Sequence, residues 1–101
     1  MVPTATKDLR VAAAYIRRDF PAAARRWYKQ IKARIATLKY LPERCRIAPE
    51  GEHFGEPIRE LLYGSGNRGT YRVLFYIVET RVDVIHVRHG SMLPLSTPDD
   101  N

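Results

Sequence analysis

The sequence predicts an α+β fold: an N-terminal antiparallel helical hairpin packed on a small antiparallel β-sheet. Three observations predict it. Apolar residues recur at helical spacing in Leu9, Ala12, Ala13 and Ile16, and again in Ala24, Tyr28, Ile31, Ile35 and Leu38. The two stripes are separated only by the break Asp19-Phe20-Pro21, too short a link for anything but antiparallel neighbours. After residue 57 the pattern changes to three β-branched and aromatic blocks, so helices come first and strands follow, as in an α+β layer arrangement.

Taken in order, the first helix is expected from about Thr6 to Asp19. Pro21 suits the first turn of a second helix, which Leu41-Pro42 stops. Trp27 falls off the main stripe and is expected to cover its edge as packing. A loop with Pro49, Gly51, Gly55 and Pro57 leads into strands at Ile58–Tyr63, Tyr71–Val78 and Val82–His89. The links Gly64–Gly69 and Glu79-Thr80-Arg81 are short enough to make these strands antiparallel neighbours. The whole of residues 1–101 reads as one domain, with a tail from Leu93 to Asn101 expected to be poorly ordered.

Composition sets limits on function. A hydrophobic share of 45% with 28% charged residues is that of a folded chain and argues against disorder. The lone Cys45 has no internal partner for a disulfide, which fits a reducing cytoplasm, and it reads as a partly buried free thiol rather than a nucleophile. No signal-like segment opens the chain, and no apolar run approaches the roughly 20 residues of a membrane helix. The net charge of +6 is uneven. Residues 1–50 hold twelve Lys/Arg against four acids, whereas residues 51–101 hold five against seven. A basic first half, including Arg17, Arg18, Arg25 and Arg26, favours nucleic acid, a ribosome or an acidic protein, with a merely solvated helical face as the plain alternative.

The chemistry-bearing residues lie in the strands. Alternation puts Arg72, Leu74, Tyr76 and Val78 on one face, and Tyr71, Val73, Phe75 and Ile77 on the other. On the last strand His86 and Arg88 share a face, opposite Val87 and His89. With one face on the helices and the other partly open, the open part would form a part-apolar, part-cationic groove. An arginine in a core strand needs a partner. Arg72 either clamps a phosphate or pairs with Glu60 or Glu79, and Arg59 has the same two readings with Glu60 or Glu56 nearby. His86 and His89 have the acid–base range for catalysis. Three residues apart on a strand, they point to opposite faces and cannot jointly hold a metal. No zinc-like spacing, phosphate loop or triad is present, so neither metal nor cofactor is expected.

Taken together, Ala5-Thr6-Lys7-Asp8-Leu9 with Tyr15-Ile16, Phe20-Pro21-Ala22-Ala23-Ala24-Arg25, and Ile31, Ile35, Leu38 and Pro42 make a recognisable series. They continue with Pro57-Ile58-Arg59-Glu60-Leu61, Tyr71-Arg72-Val73-Leu74-Phe75-Tyr76 and Val84-Ile85-His86-Val87-Arg88-His89-Gly90. In this order and spacing, over roughly residues 4 to 92, the chain resembles the RelE/ParE toxin superfamily of bacterial type II toxin–antitoxin modules, nearer its ParE branch. The resemblance implies a helical hairpin on a small twisted sheet. It also implies a cytoplasmic toxin held in a hetero-oligomer by a cognate antitoxin with an acidic, apolar-studded tail. ParE-like members poison DNA gyrase, and RelE-like members cut messenger RNA on the ribosome.

The departures from the nuclease pattern decide the expected branch. Arg72 matches the RelE strand arginine, but the preceding strand offers only Arg59 where relatives carry paired lysines. Ser91 and Met92 follow Gly90 where many relatives have an arginine, and Leu93-Pro94-Leu95 opposes a C-terminal helix. A nuclease that loses several charge-stabilising groups loses many-fold in rate. The expectation is therefore a gyrase inhibitor, with a ribosome-dependent endoribonuclease or a non-toxic antitoxin-binding remnant as alternatives. Contacts to target or antitoxin are expected at Arg59, Arg72, Tyr76, His86, Arg88, Arg17, Arg18, Arg25 and Arg26. In the nuclease reading, Arg72 and His89 would be catalytic. The family usually begins with a strand where only Met1-Val2-Pro3 stands here, which would leave one sheet edge short or open.

Overall fold

Two prolines start the two long helices, each at a position whose amide has no intrahelical acceptor. A computed structural model, describing residues 1–64 and 69–90, places α1 at Pro3–Arg17 and α2 at Pro21–Ala36. Single 3-10 turns follow at Thr37–Lys39 and Pro42–Arg44. Then come β1 (Arg46–Ile47), the one-turn helix α3 (Gly51–Phe54), β2 (Arg59–Tyr63), β3 (Tyr71–Val78) and β4 (Arg81–His89). The strands form one antiparallel sheet in the order β1-β2-β3-β4. The α+β architecture is thus the one the sequence implies.

Two details differ from the expected elements. Helix α1 begins at Pro3 rather than Thr6, because Val2 is tied down: its amide donates to the Val84 carbonyl at 3.0 Å. That bond and the one from the Val87 amide to Asp8 Oδ2, 2.9 Å, partly satisfy the outer edge of β4. The loop before Ile58 contains β1 and α3, both too short to carry a periodic signal. The tail at 93–101, expected to be poorly ordered, and most of the 64–69 link lie outside the described residues.

The sheet buries both faces, unequally. Toward the helices, Leu61, Tyr71, Val73, Phe75, Val84 and Val87 pack with Leu9, Ile16, Trp27, Ile31 and Leu38. Each fully buried side chain here contributes roughly 1.5–3 kcal/mol. Trp27 belongs to this core and is not an edge cover, because its ring stands edge-on to Tyr71 with centroids 4.9 Å apart. On the other face a smaller cluster of Ala48, Ile58 and Leu74, with Phe54, Tyr76 and Ile85, is roofed by the segment carrying β1 and α3. The expected open groove on the sheet is therefore covered over much of its width.

Among the described residues, two non-glycine residues have positive φ. Glu79 (φ 58°) serves the two-residue β3–β4 turn, where the favoured geometries demand it. Leu41 (φ 46°, ψ 59°) sits before Pro42, where a helical conformation is also disfavoured. An L-residue in this region is strained by roughly 1–2 kcal/mol.

Candidate functional site

Strand alternation points Arg72 to the face of β3 away from the helices, beneath the β1–α3 segment. There it is almost fully buried. Its Nη1 and Nη2 donate to the two oxygens of Glu50, both at 2.8 Å, while Nη2 and Nε reach Glu60 Oε1 at 2.7 and 3.1 Å. Glu50 comes from the turn before α3 and Glu60 from β2, so one guanidinium ties the roof to the sheet. Arg46, exposed on β1, closes the chain of charges on Glu60 Oε2. The hydrogen bond to Glu50 is the chief cause that pushes the Arg72 pKa still higher, against the opposing effect of burial. Arg72 is a permanent cation already engaged by two carboxylates.

The other sheet residues are similarly placed in packing or turns. Arg59 Nη1 donates to the backbone carbonyls of Cys45 (2.7 Å) and Glu43 (3.1 Å), not to Glu56 or Glu60. His86 is buried with Nδ1 3.1 Å from Asp8 Oδ2, joining β4 to α1. His89 lies opposite Tyr71, its ring edge-on at 5.1 Å. His86 and His89 occupy opposite faces, as alternation requires. Arg88 stands across from Arg72 in the register. Tyr76 faces Asp83 on β4. Desolvation, then the nearby Asp83 charge, pushes the Tyr76 hydroxyl above its usual range, and Arg81 hydrogen bonds hold Asp83 below its own. Both keep their ordinary protonation at neutral pH. Among the described residues no group of acidic, His or Cys side chains is arranged to hold a metal.

An accessible cationic feature lies on the helices. A groove of about 550 Å³ runs between α1 and α2. Its floor is Ala13, Ala14, Ala24 and Tyr28, and its rim is Arg10, Arg17, Arg25 and Lys29. Small residues at facing positions let the groove form. The arginines stand on long stems whose methylenes extend the apolar wall while the charges remain wet. Of the helix residues picked out from sequence, Arg17 and Arg25 share this rim. Arg18 instead lies over the Tyr15 ring at 5.8 Å. Arg26 borders a different depression of about 250 Å³ beside Trp27, Gln30 and Tyr63. Arg10 and Ala14 escaped the sequence reading, in which Lys29 counts only toward the basic first half and Ala13 only toward the apolar stripe of the first helix. Such a groove suits an amphipathic segment whose apolar ridge is flanked by carboxylates.

A family model described as the ParE toxin of type II toxin–antitoxin systems, parDE, matches residues 2–94. No curated protein and no solved structure matches the chain. Among the described residues no helix is long and apolar enough to cross a membrane.

Proposed function

This chain belongs to the ParE toxin family of type II toxin–antitoxin systems, and we propose that it acts by inhibiting DNA gyrase rather than by cutting RNA. The observation that carries this reading is the state of Arg72. The arginine that corresponds to the nuclease branch is buried and held in four hydrogen bonds by Glu50 and Glu60. Presenting it to a phosphodiester would break its fork on buried Glu50 and leave buried Glu60 only its bond to the exposed Arg46, at a cost of several kcal/mol. Neither His86 nor His89 supplies an alternative centre beside it, since His86 is held by Asp8 and His89 lies on the helix-facing side of β4.

The partner that restrains the toxin is its cognate antitoxin, docked as an acidic amphipathic segment in the α1–α2 groove. Charge complementarity supports this: four cations rim an apolar floor, so an approaching acidic tail is steered as well as bound. Induced expression without antitoxin tests the function. Pulse labelling is expected to show early loss of DNA synthesis, with protein synthesis declining later. Early loss of protein synthesis with cleavage of translated messages would defeat the gyrase reading, and no growth effect at all would favour a remnant that only binds antitoxin.

A further inference from the structure

The corner after α2 carries a feature that packing does not explain. Leu41 adopts a left-handed backbone before a proline, yet the residue is 76% exposed and lies outside both apolar clusters. Tyr40 beside it is 65% exposed, with Lys39 Nζ 5.1 Å from its ring centre. The strained turn is held from several sides. Arg44 Nη1 donates to the carbonyls of Tyr40 (2.6 Å) and Leu41 (3.3 Å), its Nη2 donates to Thr37 Oγ1 (2.9 Å), and its amide donates to the Leu41 carbonyl (3.0 Å). Backbone strain held in place by its surroundings clusters at binding sites. Here it presents two apolar side chains outward in a fixed geometry, which lowers the entropy lost on docking.

We propose that the Tyr40–Leu41 corner is the surface through which this chain grips its protein target, a site with an apolar pocket and an acidic rim. The identity of that target rests on the gyrase reading above. The rim charge is inferred from exposed Arg34, Lys39 and Arg44 against Glu43 alone. A phosphate backbone offers no pocket to a leucine, and two apolar side chains are too little for stable membrane anchoring. The corner shares no residue with the helix groove, and α2 alone sets them about 10 Å apart between Lys29 and Ala36. Target and antitoxin therefore meet different parts of the chain.

The test is direct binding of the purified full chain to purified DNA gyrase subunits, by fluorescence anisotropy, for the wild type, Leu41→Gly and Leu41→Asp. Glycine accepts the positive φ, so Leu41→Gly is expected to raise or maintain the melting temperature while weakening gyrase binding by at least ~10-fold. Leu41→Asp is expected to weaken it further. Wild-type affinity in Leu41→Gly, within about two-fold, would overturn the corner as the docking surface and leave the gyrase reading standing. Absence of gyrase binding by the wild type would overturn both. Binding of the wild type to phosphatidylglycerol vesicles that Leu41→Gly loses would overturn the assignment to a protein partner.

Discussion

Arg72 meets Glu50 as a fork on a carboxylate, each terminal nitrogen donating to one oxygen at 2.8 Å. The two residues are 22 positions apart, and their pairing fixes the β1–α3 segment over the outer face of the sheet. Removing the cation takes the fork from buried Glu50 and leaves buried Glu60 with the exposed Arg46 as its charge partner. Arg72→Ala is therefore expected to lose about 3–5 kcal/mol in urea unfolding. Arg72→Lys, which keeps the charge but not the fork, should also be destabilised. A triple variant, Arg72→Met with Glu50→Leu and Glu60→Leu, should recover most of the loss. If that folded variant still inhibits growth, Arg72 is structural; if it is folded and inert, the arginine acts on a target.

The rim of the α1–α2 groove yields a separate expectation. Reversing one charge by Arg25→Glu should weaken antitoxin binding by roughly ten-fold or more, chiefly through slower association, with less sensitivity to added salt. Surface plasmon resonance at two ionic strengths reads both effects. An unchanged rate constant would place the antitoxin elsewhere.

Gly69 has φ +72°, and a Cβ there would lie 2.7 Å from Nε2 of His89. Gly69→Ala must strain the backbone and displace the ring that stands against Tyr71. A loss of about 1–3 kcal/mol is expected, measurable by thermal unfolding. At Glu79 the logic reverses. Its φ is 58° in a tight turn, so Glu79→Gly should be neutral or stabilising by up to about 1 kcal/mol.

How much of this was legible beforehand followed from the range of each interaction. The helices and three long strands were readable because their periodicity is local, and Glu60 was among the carboxylates expected for Arg72. Glu50 was not, because no periodic signal links a loop residue to a strand 22 positions later. The two-residue β1 and the single turn of α3 carry too few side chains to show a pattern. The exposed sheet groove was misjudged for the same reason, since its roof is built from those elements. The helix groove needed the packing itself, which decides which alanines face the core and which line a cleft.

Asp83 supplies the pH dependence. Its carboxyl is held below its ordinary range, chiefly by the Arg81 hydrogen bonds. A depressed folded pKa contributes stability above the unfolded value and loses it as pH falls through the folded one. The β3–β4 turn should therefore loosen only in acid, below the ordinary carboxylate range. Carboxyl chemical shifts followed by NMR from pH 6 downward are the check (an approximate window). A midpoint at or above the ordinary aspartate value would contradict the assignment.

The most direct test of the central claim is a supercoiling assay with purified DNA gyrase and the purified chain, run beside a cleavage assay on messenger RNA in translating ribosomes. Inhibition of supercoiling that the cognate antitoxin reverses, with intact messages, is the predicted result. Unimpaired supercoiling together with cut messages would contradict it and return Arg72 to the reaction centre.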